Sequence, residues 1–227
     1  EAMQTIDLNT TTLRELNSRL QTESAGTQCK VSNPNGRHAL AVGLTQPIEV
    51  TIEGHTGYYA AGMNQKASVV INGNAGQGVA ENMMSGRVHV TGNASSSAGA
   101  TAHGGLLVID GDAGARCGIS MKGVDIVVRG SIGHMSAFMA QSGNLVVCED
   151  AGEALGDSLY ETRIFVRGKV RSLGADCEEK EMKAEDLAIL TALLEQAGIT
   201  DCKAEEFRLY GSARTLYHFN VDNASAY

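Results

Sequence analysis

The sequence has no tryptophan, only four phenylalanines and only two prolines in 227 residues. A core without large rings must be stacked from aliphatic and small side chains. With so little proline, nearly every backbone N–H can donate, which suits strands and tight turns and argues against a disordered linker. No apolar run approaches the roughly 18 residues that a membrane span needs. No lysine and arginine run exists and the formal net charge is −8, so a nucleic-acid surface is not expected. No basic-then-apolar leader pattern opens the chain, and the expected location is the cytoplasm. The five cysteines are odd in number and include no Cys-x-x-Cys, so they read as ordinary thiols.

Glycine is what the sequence has in abundance, 27 residues, and it falls in register. Gly54, Gly73, Gly92, Gly111, Gly130, Glu149 and Gly168 stand 19 residues apart. Counting from this residue as position 0, position −2 is β-branched throughout: Ile52, Ile71, Val90, Ile109, Val128, Val147 and Val166. Position −4 is also apolar, from Val50 to Ile164. Position +3 is mostly glycine, and position +7 is always small: Ala61, Ala80, Gly99, Gly118, Ala137, Gly156 and Ala175.

Side chains two apart share a face of a strand, so −4 and −2 point into one core. A glycine ends the strand and a G-x-x-G turn follows. A 19-residue unit is too short for two helices and their turns, and it suits one three-sided coil. Successive coils then pair in parallel about 4.8 Å apart. The predicted fold is all-β, a single right-handed parallel β-helix of about seven coils with short flanking α-helices. Gly54, Gly73, Gly92, Gly111, Gly130 and Gly168 are its fold-determining glycines. The L-x-x-L-x-L of leucine-rich repeats is absent, and so is the six-residue substructure of left-handed hexapeptide helices. Gly73 to Gly78 imitates a dinucleotide fingerprint, but the same glycines recur along the chain and no amphipathic helix follows.

Three segments are expected: an N-terminal helix and capping segment at 1–45, the β-helix at 46–180, and a C-terminal helix with an extended docking tail at 181–227. Residues 10–21 read as a helix capped by Thr10 to Thr12, with Leu13, Leu16 and Leu20 on one face. Val31 falls in phase with position −4, and a degenerate capping coil is one reading of 22–45. Ala184 to Gln196 reads as a second helix, stopped by Gly198. The flanks either cap the open ends of the stack or dock on a partner.

Residues at one position in successive coils are neighbours, so chemistry on the wall should appear as ladders. Cys117, Cys148 and Cys177 share no position, and neither do His55, His89, His103 and His134. Neither metal ligands nor catalytic groups are expected here. Asp110, Asp112 and Asp150 are the only candidates for clustered carboxylates, and Arg129 beside Asp110 reads as a surface ion pair. Position +1 is polar, from His55 through Asn74, Asn93, Asp112, Ser131 and Asp150 to Lys169, as turn-satisfying side chains would be. An Asn74–Asn93 amide ladder is a further expectation. Position −3 should face outward, yet it carries Val108, Val127, Val146 and Phe165. Such a strip needs a cover, from the chain's own helix or from another subunit. With the tail aromatics Phe207, Tyr210, Tyr217 and Phe219, it forms the candidate partner interface.

The units Ile71 to Gly78 and Val108 to Gly114 resemble the glycine-rich (GXGXG) C-terminal domain family of glutamate synthase, over about residues 35–180. Similar units occur in the C subunit of formylmethanofuran dehydrogenase. In that family the domain is a non-catalytic right-handed β-helix that braces an amidotransferase domain against an FMN-bearing synthase domain. Read as a stand-alone domain, the chain resembles the β-helix subunit type of N-methylglutamate synthase (methylamine–glutamate N-methyltransferase). Ala213 to Phe219 fits that stand-alone type. The resemblance implies a cytoplasmic hetro-oligomeric transferase of methylamine metabolism. Its partners would be an amidotransferase-like subunit and an FMN-binding glutamate-synthase-like subunit, the latter with FMN and an iron–sulfur cluster as the candidate cofactors. No catalytic, cofactor-binding or metal residue carries over to this chain. The rival readings are a subunit of a three-chain glutamate synthase, a formylmethanofuran dehydrogenase subunit, and a self-standing binding or filament-forming β-helix.

Overall fold

The computed structural model describes residues 2–214. They form a parallel β-solenoid flanked by two helices, with one eleven-stranded sheet running its whole length. The regular coils contribute β3 (Glu49–Glu53), β4 (Ser68–Asn72), β5 (Arg87–Val90), β6 (Leu106–Ile109), β7 (Lys122–Val128), β8 (Ser142–Val147) and β9 (Arg163–Val166). Each pairs in parallel with the next, and the partners Val50, Val69, Val88, Leu107, Ile126, Leu145 and Ile164 make one buried column. Position −2 makes a second, from Ile52 to Val166. A further parallel line of bridges joins the residues two after each turn, from Thr56 through Ala75, Ala94 and Ala113 to Val170.

The sheet continues through the expected boundary at 45/46. Strands β1 (Gln4–Asp7) and β2 (Gln28–Ser32) pair in parallel with each other, and β2 with β3. Here the period is broken. Val31 pairs with Ile52, at position −2, and Cys29 with Val50, at position −4. Val31 therefore sits one inward step from the column expected of it, because this turn is longer than the regular ones. Between β1 and β2 lies α1 (Leu13–Thr22). Its start is a reciprocal cap: Glu15 N–H donates to Thr12 Oγ1 at 3.2 Å, and Thr12 N–H to Glu15 Oε2 at 3.2 Å. Leu16 and Leu20 pack into the same core as Ile6, Leu40 and Leu44, closing the first end of the stack.

The other end is closed by a reversal of direction. Strand β10 (Cys177–Lys180) pairs with β11 (Arg208–Ser212), and β11 lies antiparallel against β9. An antiparallel strand does not repeat the parallel ladder, so the stack stops there. Ala175, expected in the small-residue wall, is exposed at this reversal.

Helix α2 (Ala184–Gln196) matches its sequence signals, and Gly198 ends it at φ +72° with Ile199 N–H donating to Leu194 O. Its N-terminal end is held where Arg163 Nε donates to Asp186 Oδ1 at 2.9 Å; its C-terminal end where Arg87 Nη1 donates to Gln196 O at 2.8 Å. Arg163 and Arg87 occupy one position four coils apart, a distance of about 19 Å at strand spacing. Thirteen helical residues span about 20 Å, so the helix matches the stretch of wall it crosses. An acid at the helix start and a cation at its end also suit its dipole.

Candidate functional site

The outward row proposed for a partner lies inside the chain's own fold. Val108, Val127, Val146 and Phe165 are fully buried, in a second core with Leu190, Leu193, Leu194, Ile199, Phe207 and Leu209. Phe207 therefore faces its own solenoid, and Tyr210 is buried in the main core. The reason is simple: α2 and the segment after it bring an apolar face of matching length back over the strip. As a free interface these residues are corrected; Tyr217 and Phe219 lie outside the described residues.

The polar position +1 forms a ladder between coils. Asn93 N–H donates to Asn74 Oδ1, Asp112 N–H to Asn93 Oδ1, and Ser131 N–H to Asp112 Oδ1, each at 2.8 Å. Below, Asn74 N–H donates to His55 Nδ1 at 2.9 Å; above, Asp150 N–H donates to Ser131 Oγ at 3.0 Å and Lys169 N–H to Asp150 Oδ1 at 2.7 Å. Each side chain thus serves the turn of the next coil. An amide-to-amide ladder between Asn74 and Asn93 is not what forms.

This ladder explains the glycine beside it. A Cβ on Gly111 would stand 2.1 Å from Asn93 Oδ1, and one on Gly130 2.2 Å from Asp112 Oδ1. The same holds for Gly92 and Gly168, while a Cβ on Gly73 would meet the Gly54 carbonyl at 2.8 Å and one on Gly54 would meet Pro34. The exception, Glu149, follows the exception in the ladder, because Ser131 beneath it is the shortest rung. The small residues at +7 have a separate cause. Ala61, Ala80 and Ala137 lie in the left-handed region, and a Cβ on Gly99 would meet Ile126 Cδ1 at 2.7 Å across the core.

The reactive-looking side chains are dispersed. Asp112 and Asp150 belong to the ladder. Asp110 pairs with His89 Nε2 at 2.8 Å, and Arg129 reaches Asp201 at 3.4 Å, which corrects the expected Arg129–Asp110 pair. His38 accepts from Tyr58 N–H at 2.9 Å and stacks on the Tyr58 ring. Among the described residues no group of three His, Cys, Asp or Glu is placed to hold a metal. Burial pushes the Cys117 thiol up to about 12. No helix of the described residues is long and apolar enough to cross a membrane.

What remains open is the coil surface beyond the strand wall. A recess of about 580 Å³ lies where small rungs, Gly78, Ser97 and Ala100, sit between Tyr58 and Tyr59 on one side and Ile119 on the other. Tyr58 at its rim is about half exposed, and so are Met63, Met84, Met139 and Tyr160 elsewhere on the coils. Sequence reading missed them because they fall at three different repeat positions, so no column announces them. Methionine is suited to adaptable contacts and tyrosine to half-wet ones.

No family model matches this sequence. No solved structure matches it. The chain is similar to Protein GlxC of Rhizobium meliloti (strain 1021), 60% identical over 228 residues that cover 99% of this chain and 100% of that protein.

Proposed function

The chain belongs to the GlxC family, and from that premise we propose that it is a non-catalytic structural subunit of a glutamate-synthase-like enzyme of the N-methylglutamate synthase type. It braces an amidotransferase-like subunit against an FMN-binding synthase-like subunit, and the flavin chemistry belongs to the latter. The complex would make N-methylglutamate from methylamine and glutamate. The observation that carries the reading is the division of the surface. Asp112, Asp150 and His55 are engaged in joining coil to coil, while Tyr58 stands exposed at the rim of a recess and Met63 and Met139 stand exposed elsewhere on the coils. That is a surface for contact, on a scaffold whose polar groups serve its own backbone. A self-propagating filament is disfavoured by the antiparallel insertion of β11 between β9 and β10, which departs from the parallel ladder that such a filament would repeat.

Native purification from the source, with mass spectrometry and flavin absorbance, tests this. Recovery with both partner chains and a flavin supports it, and turnover of methylamine identifies the amine. Tyr58→Asp with Met139→Asp should keep the strand spectrum and release the partners. A lone, flavin-free chain would overturn the reading, and turnover of 2-oxoglutarate with glutamine would move it to a three-chain glutamate synthase.

A further inference from the structure

The last outward residue of each strand wall makes a column of its own. In successive coils it reads Asp110, Arg129, Cys148 and Arg167, each held by a bond from its backbone N–H to the coil before. The segment leaving α2 runs along this column and matches it residue by residue. Asp201 Oδ1 meets Arg129 Nη2 at 3.4 Å, and Glu206 Oε2 accepts from Arg167 Nε at 2.7 Å. Between these two ion pairs, Cys202 packs against the second core that holds Cys148. Cys148 and Cys202 thus meet in one apolar cluster, bracketed along the column by the Arg129–Asp201 and Arg167–Glu206 pairs. No other pair among the five cysteines interacts in this way: Cys29 and Cys117 lie apart in the main core, and Cys177 sits at the reversal by Gly156.

We propose that Cys148 and Cys202 are a dithiol that a peroxide oxidises to an intrachain disulfide, fastening the covering segment to the strand wall. The inference is independent of the function proposed above. The order of events follows from burial. Cys148 is 3% exposed and its thiol is pushed up to about 12, first by burial and then by Cys202, so it makes a poor first nucleophile. Cys202 is half-buried at the edge, and its sulfur attacks one peroxide oxygen as the O–O bond breaks, giving a sulfenic acid and water. The Cys148 sulfur then attacks the Cys202 sulfur; the S–O bond breaks, the thiol proton leaves with the hydroxyl, and a second water is released. Two thiols lose two electrons and the peroxide gains them. The flanking arginines stabilise negative charge on sulfur, while Asp201 and Glu206 hold the segment in register.

The test is peptide mapping of the full chain after hydrogen peroxide and denaturing alkylation. The expected product is a Cys148–Cys202 linked peptide, about tenfold more abundant than any other cysteine pair and removed by a phosphine reductant. Cys202→Ser should abolish it. Cys148→Ala should leave Cys202 as sulfenic acid, trapped by a dimedone probe. The oxidised chain should also melt at a higher temperature than the reduced one, with no such rise in Cys202→Ser. Five fully alkylated thiols after oxidation, or Cys202 joined to Cys177 or to a second chain, would overturn the proposal. So would conversion of Cys202 to sulfinic acid with no linked peptide.

Discussion

The strand wall of the solenoid is half open over its first regular coils and roofed over its last. On the outward row, Thr51, Val70 and His89 are partly exposed, whereas Val108, Val127, Val146 and Phe165 are fully buried. Beneath them the inward columns are the same: Val50 and Ile52 are as buried as Ile164 and Val166. One coil geometry thus supports a one-core and a two-core arrangement. The difference comes from α2, which returns over the later coils and ends at Arg87. A repeat tells where a side chain points, and an element outside the repeat decides whether that direction is solvent.

The strongest way to break this comparison is to place charge under the roof. Val127→Asp with Val146→Asp buries two unpartnered carboxylates and should cost upward of about 4 kcal/mol. Val70→Asp, on the same row of the open half, should cost about 1 kcal/mol or less. Urea unfolding measures both, and hydrogen exchange should show α2 released in the double variant while the inward columns stay protected. Equal losses in the two halves would mean the roof contributes little.

A second test compares the regular glycine rung with its exception. Ser131→Asp restores the long rung beneath Glu149 and should cost about 2 kcal/mol, because the Glu149 Cβ then meets a carboxylate oxygen. Adding Glu149→Gly should recover most of that loss, which a double-mutant cycle reads directly. Additive losses would separate the glycine from the ladder.

The smallest effect concerns Asp125, on the same column as Arg87 and Arg163, near the edge of the roof. Burial raises its carboxyl pKa above 3.8, while a hydrogen bond from Asn144 at 2.9 Å acts in the opposite direction. A raised pKa in the fold means that the ionised form is disfavoured there, so the cost is present at neutral pH and fades as pH falls through the folded value. Asp125→Asn should therefore stabilise the fold slightly at pH 7, by less than about 1 kcal/mol after solvent screening of this partly exposed group, and the gain, read from melting curves across pH, should vanish below the unfolded value. A gain that persists in acid would assign the effect to something other than ionisation.

Much of this was legible in advance. The −4 and −2 columns could be read because a strand alternates every two residues and each coil repeats the last. Helix α2 could be read from Gly198 and from its apolar spacing. The first coils were harder, since their longer turns shift Val31 by one inward step while keeping it in the core. Strand β11 carries no repeat at all; Leu209 and Tyr210 gain their places by pairing with Phe165 and Ile164. The exposed Tyr58, Met63 and Met139 were invisible as a group because exposure is a property of neighbours.

The sequence by itself determined the coil: its length, its inward columns, its turn glycines and the polar rung beside them. Those follow from local geometry, where each residue meets its equivalent one coil away. Only the tertiary structure decided which outward face is covered, which way each rung donates, and that Cys202 joins the core that holds Cys148. These depend on where a non-repeating segment comes to rest, and that is set by apolar area and charge partners far apart in the chain.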